Sequence, residues 1–121
     1  MSESVSNSVR DTLVEIEETT GVSYNPEADT VAFTADSTDT EQYVALVEYL
    51  VENGYITKID LPISTKRAQT RYLINSTASH EDREMVRPRE VGDGIYLETN
   101  HDSSSKARYA AQFIKDLLLA E

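Results

Sequence analysis

Residues 54–76 read GYITKIDLPISTKRAQTRYLINS, and how this stretch folds decides the fold class. Residues 55–61 alternate: Tyr55, Thr57, Ile59 and Leu61 fall on one side, Ile56, Lys58 and Asp60 on the other. That is the period-two pattern of a strand, carried by β-branched and aromatic residues. Pro62 has no N–H to donate, so the ladder ends there or lies at an edge. Residues 70–76 alternate again, with Tyr72 and Ile74 opposite Arg71, Leu73 and Asn75. Between them lies Ser64-Thr65-Lys66-Arg67-Ala68-Gln69, an exposed basic tip. The stretch therefore predicts a β-hairpin whose cations either blunt a sheet edge or meet an anion.

Upstream, residues 40–53 carry Tyr43, Leu46, Val47, Leu50 and Val51 on one helical stripe. Thr38-x-x-Glu41 is a capping-box pattern at the start, and Gly54 ends the helix. Residues 30–35 predict a strand with Val31, Phe33 and Ala35 on one face, after a turn at Asn25-Pro26-Glu27-Ala28-Asp29. Residues 4–20 predict a first helix, with Val5, Val9, Leu13 and Ile16 on one face and Gly21 as its stop. Ser8 with Asp11 fits a capping box there, although Ser6 or Asn7 serves equally well.

Downstream, residues 77–94 show no clear period; 79–85 fit one helical turn, which Pro88 would stop. A connection this long in a small domain is commonly functional or mobile. Residues 95–99 predict a short strand, and Asn100-His101-Asp102-Ser103 caps a last helix running to about 119. Ala107, Ala110, Ala111, Phe113, Ile114, Leu117 and Leu118 form its apolar face, with Lys106, Arg108, Lys115 and Asp116 mostly outside it. Residues 30–54 and 94–120 each run strand, polar loop, helix. They are either an internal duplication or the common outcome of capping chemistry.

These elements predict a single α+β domain spanning residues 1–121. Three main helices pack on a mainly antiparallel sheet of about four strands, in the order α-β-α-β-β-β-α. The expected core is Val9, Leu13, Ile16, Val31, Phe33, Leu46, Leu50, Ile59, Tyr72, Ile74, Leu97, Phe113, Ile114 and Leu117.

Composition narrows the function classes. No cysteine is present, which removes disulfides and thiolate metal sites and favours a reducing compartment. The longest apolar run, 117–120, spans no membrane, and MSESVSNSVRD has neither the basic nor the apolar region of a secretion signal. The expected location is cytoplasmic, or within a virion. Acids outnumber bases 22 to 11, for a net charge of −11. Such a balance resembles the proteins of salt-accumulating halophiles, chiefly haloarchaea and their viruses; an ordinary acidic protein is the alternative. The charge is also segregated. Residues 58–89 hold seven bases (Lys58, Lys66, Arg67, Arg71, Arg83, Arg87, Arg89) against Asp60, Glu81, Asp82 and Glu84, while the remainder carries −14. Global acidity argues against general DNA coating, so a nucleic-acid site has to be local.

No catalytic pattern is present. His80 and His101 sit in acidic loops without HExxH, CxxC or EF-hand spacing, and read as surface histidines rather than metal ligands. There is no Walker or GxGxxG loop and no GxSxG. A nuclease built on Asp60, Lys58 and Glu98 would need clustered acids that the spacing does not supply. No catalytic residue, metal or cofactor is expected.

Two resemblances point to DNA. Residues 46–76 resemble the end of a winged helix-turn-helix: a helix closing on Asn-Gly, then Tyr-Ile, then a hairpin with a basic tip. This resemblance implies wing contacts from Lys66, Arg67 and Arg71. The acidic Glu41, Glu48 and Glu52 depart from a recognition helix, and a strand precedes where that family has a helix. Residues 71–118 resemble the DNA-binding domain of the SeqA replication regulators, where a strand ending in Thr-Asn leads through a loop with a Lys into a helix. The matching residues are Thr99, Asn100 and Lys106. Asn100 would then pair with adenine.

The sequence thus leads to a small non-enzymatic DNA-binding protein. Lys58, Lys66, Arg67, Arg71, Arg83, Arg87 and Arg89 would contact phosphates, and Asn100 a base. The alternative is an assembly subunit, in a virion or a larger complex, whose basic hairpin meets an acidic neighbour or another copy of itself.

Overall fold

The structure is a computed structural model that describes residues 7–57, 63–64, 72–79, 84–92 and 94–119. The first helix, α1 (Asn7–Thr20), turns Leu13 and Ile16 inward. At its end Thr20 Oγ1 donates to Ile16 O (2.7 Å) and accepts from Val22 N (3.2 Å). Gly21 then reverses the chain at φ +85°. A Cβ at Gly21 would lie 2.5 Å from Ala35 Cβ and 2.6 Å from Gln42 Oε1, so both the backbone angle and the space demand glycine.

A strand absent from the sequence reading follows. β1 (Val22–Asn25) pairs antiparallel with β2 (Thr30–Phe33), Val22 opposite Phe33. The expected turn at 25–29 joins them: Asn25 Oδ1 accepts from Glu27 N at 3.0 Å, and Asp29 takes φ 55° while its carboxylate accepts the Tyr24 hydroxyl at 2.7 Å. Next, α2 (Asp39–Glu52) starts as its capping box dictates, with Thr38 Oγ1 accepting from Glu41 N at 3.1 Å.

Residues 55–57 do not begin a strand. Tyr55 N and Ile56 N both donate to Leu50 O (2.9 and 3.2 Å), so the chain wraps the end of α2. Ile56 is buried, Tyr55 half-buried and Thr57 exposed, which inverts the expected inner face. Residues 58–61 lie outside the described residues. The hairpin itself is present further along: β3 (Ile63–Ser64) pairs with β4 (Tyr72–Asn75), Ile63 opposite Ile74. Leu73 and Ile74 are both 0% exposed, so β4 is covered on both faces and its alternation does not divide polar from apolar.

The segment expected to lack an element contains a strand. β5 (Pro88–Gly92) pairs antiparallel with β6 (Ile95–Glu98), and the sheet runs β3-β4-β6-β5 with β5 at the edge. Pro88 opens that edge strand, where its missing donor costs no ladder bond. No helical turn forms at the described residues of 79–85; Ser79 bridges Glu84 and Met85 N donates to Ala78 O (3.0 Å). Finally α3 (Ser103–Ile114) runs into a wider, π-type turn over Lys115–Leu119.

The class is α+β, as expected; among the described residues there are three helices, and the order is α-β-β-α-β-β-β-β-α in two antiparallel sheets. One buried cluster draws on α1, α2, α3 and both sheets. Ile16, Leu46, Leu50, Ile74, Leu97, Phe113 and Ile114 are buried in it. Leu13, Val31, Phe33 and Leu117 pack against it half-covered, and Val9 is half-buried. Ile59 and the Tyr72 side chain lie outside what is described.

The recurring strand-loop-helix pattern of the sequence is a ββα arrangement seen twice, β1-β2-α2 and β5-β6-α3. The residue after each hairpin is a threonine bonding back to the residue before it. Thr34 N and Oγ1 donate to Gly21 O (2.7 and 2.8 Å), and Thr99 N and Oγ1 donate to Arg87 O (3.1 and 2.8 Å). A side chain then caps each helix, Thr38 in one and Asp102 in the other. The helices exchange partners, α2 packing on β5 and α3 on β2. Tyr43 of α2 stacks on Phe113 of α3 at 6.3 Å between ring centroids.

Candidate nucleic-acid interface

The second ββα unit places its cations. Arg87 immediately precedes β5 and Arg89 lies in it; both are exposed, two residues apart on the edge strand and hence on one face. What fixes their backbone is Glu98, at the end of β6 and only 2% exposed. Its Oε2 accepts from Val86 N (2.7 Å), and its Oε1 from Arg87 N (2.8 Å) and Asn100 N (3.3 Å). A buried carboxylate is tolerable only with such donors around it. Thr99 completes the clasp through Arg87 O.

On the other side stand the N-termini of α2 and α3. Asp102 caps α3 by accepting from Ser105 N (2.8 Å), and this backbone bond, then the Ser105 hydroxyl, holds its carboxyl below the usual range. The Ser103 hydroxyl donates to the Asp39 carboxylate, joining the first residues of the two helices. That bond, with a smaller pull from Lys106, also lowers the Asp39 pKa, against the opposing effect of burial. Lys106 is 6% exposed; its Nζ donates to Thr40 Oγ1 at 2.7 Å and lies 3.9 Å from Asp39 Oδ1. The His101 ring meets Tyr109 edge-on at 4.9 Å, and the Arg108 guanidinium lies 5.7 Å from the centre of the same Tyr109 ring.

Between these two sides is a cleft of about 370 Å³, lined by Arg87, Arg89, Thr99, Asn100, Lys106 and Thr40, with Pro88 and His101. Three of its lining residues are cationic and none is a carboxylate. The first unit holds a cleft of about 560 Å³ at the matching place, around Gly21, Thr34 and Ala35, but lined by Glu17, Glu18 and Glu41.

Of the residues singled out in the sequence, Arg87, Arg89 and Asn100 come together here. Lys58, Lys66, Arg67, Arg71 and Arg83 lie outside the described residues. Lys106 corrects the sequence reading. It was expected outside the apolar face of α3, yet it is buried on the same stripe as Ala110, Phe113 and Ile114. Its spacing of four from Ala110 was the signal. Glu98, weighed only as a nuclease acid, is engaged with backbone N–H groups. Thr40 gave no signal, since only tertiary packing brings it here, and His101, read as a surface histidine, is half-buried against Tyr109. Among the described residues, no group of three or more metal-ligating side chains converges, and no helix is long and apolar enough to cross a membrane.

Compared with known proteins, the chain matches no family model, no curated protein and no solved structure.

Proposed function

We propose that the protein binds nucleic acid, DNA first, without catalysing a reaction on it, and that the face around Arg87, Arg89, Asn100 and Lys106 is its contact surface. The observation that carries this reading is the convergence of three cations and an exposed amide on one cleft with no carboxylate among its lining residues, although Asp39 lies 3.9 Å from Lys106, in a chain of net charge −11. Exposed arginines on an edge strand reach phosphates, and Asn100 beside them offers the paired donor and acceptor that read an adenine edge. Lys58, Lys66, Arg67, Arg71 and Arg83, which lie outside the described residues, would add phosphate contacts of their own. A halophilic setting fits the acidic remainder, with base and shape contacts carrying more where salt weakens the phosphate contribution.

Fluorescence anisotropy with duplex DNA over a salt series tests this. Each phosphate contact contributes about one unit to the log–log salt slope, so Arg87→Ala/Arg89→Ala should flatten it by about two. Equal binding by wild type and this variant would remove the cleft from the proposal.

The two clefts of opposite charge favour a second reading, an assembly subunit in which the basic cleft of one copy meets the acidic cleft of the next. Light scattering across salt concentrations separates the two. A defined oligomer that dissociates with salt and ignores DNA supports assembly.

A further inference from the structure

The depth of Lys106 bears on which phosphate the cleft takes. We infer that it receives a terminal phosphomonoester, of a nucleic-acid strand or a free nucleotide, rather than an internal phosphodiester. The inference rests on the nucleic-acid reading for the first source only.

Arg87 and Arg89 are exposed and accessible to a backbone running across the surface, whereas Lys106 is 6% exposed at the cleft floor. An internal phosphate carries a sugar on each side and stays at the surface. A terminal phosphate has one substituent, three free oxygens and a second negative charge near neutral pH, so it can enter head first. The floor suits it chemically. An ammonium group has three donors. Thr40 takes one at 2.7 Å, and Asp39, already held by Ser103, stands off at 3.9 Å. With one hydroxyl bonded and one carboxylate at the edge of ion-pair distance, the buried ammonium keeps donor capacity that an anion in the cleft would take up. The N-termini of α2 and α3 meet at the same place, where helix dipoles favour negative charge. The guanidiniums at the rim supply the forked donors that a phosphate accepts in pairs.

The experiment compares two single-stranded oligonucleotides of one sequence, 5′-phosphorylated and 5′-hydroxyl, by anisotropy, with deoxyadenosine monophosphate and inorganic phosphate titrated calorimetrically. The phosphorylated strand should bind about tenfold tighter or more, the worth of one charge-assisted contact. Lys106→Met should abolish that preference, whereas Lys115→Met, at a cation paired with Asp29 at 3.8 Å elsewhere, should keep it. If Lys106→Met fails to fold, Arg89→Ala at the exposed rim takes its place. Equal affinity for both strands overturns end recognition and leaves nucleic-acid binding standing. Binding of the mononucleotide without either strand keeps the phosphomonoester and removes nucleic acid. A preference that survives Lys106→Met and Arg89→Ala moves the site elsewhere and overturns the assignment, and binding of none of the four probes overturns end recognition, while the duplex titration decides the nucleic-acid reading separately.

Discussion

The two ββα units share a scaffold and differ in what fills the corner between hairpin and helix. In the first, the fourth residue of the helix is Gln42, 2% exposed. It turns back on its own loop, donating to Ala35 O (3.2 Å) and Ser37 O (2.7 Å) and accepting from Ala35 N (3.1 Å). In the second, the fourth residue is Lys106, which reaches across to Thr40 on the other helix. The first corner is tied to its own loop and its cleft is rimmed by glutamates; the second is tied to the other helix and its cleft is rimmed by arginines. One fold thus gives one acidic corner and one cationic corner.

The hairpin entrances should show the largest contrast. Gly21→Ala should cost about 3 kcal/mol or more, because the new Cβ meets Ala35 and Gln42 at a positive φ. Arg87→Ala, at the equivalent position, should change stability by less than about 0.5 kcal/mol, since its side chain is exposed. Urea denaturation of both variants measures the difference, and similar losses would break the proposed equivalence in roles.

Glu98→Gln comes next. The amide keeps one oxygen for three backbone donors, and a loss of about 2 kcal/mol is expected. Hydrogen exchange should quicken at the Val86 and Arg87 amides, while β1-β2 amides keep their rates. Caps offer a smaller and symmetric effect: Thr38→Ala and Asp102→Ala should each cost about 1 kcal/mol. Making the second corner like the first, Lys106→Gln should keep stability within about 1 kcal/mol, since a buried charge is exchanged for a neutral donor.

Acid should act last. The Asp39 carboxyl is depressed in the folded state, so its contribution is present above its unfolded value of about 4 and is lost as pH falls through the lower folded value. Asp39→Asn should therefore shrink the stability loss below about pH 4. An unchanged acid limb in chemical denaturation would dissociate Asp39 from the joint between the helices.

The helices were legible because their caps and stripes are local: Thr38 with Glu41, and the run from Tyr43 to Leu50, behave as read. β1 and β5 were not. In β1 only Val22 and Tyr24 are buried, and in β5 only Val91, so neither builds an alternation long enough to stand out. At 55–57 the alternation was real but answered to Leu50 O rather than to a neighbouring strand. Charge segregation singled out Arg87 and Arg89 from residue identities alone, and the structure places both exposed at the basic cleft. Lys106 was assigned to the wrong side because a lysine on an apolar stripe looks like its margin until the partner helix is in place.

The grip of Glu98 on both lips of the basic cleft has a kinetic corollary. With the amides of residues 86, 87 and 100 moored to one carboxylate, the mouth keeps a fixed gauge in the absence of ligand. On the proposed reading, an incoming anion would need to organise only the arginine side chains, so little ordering would oppose its capture. Loosening that mooring would show first as faster escape of whatever the cleft holds.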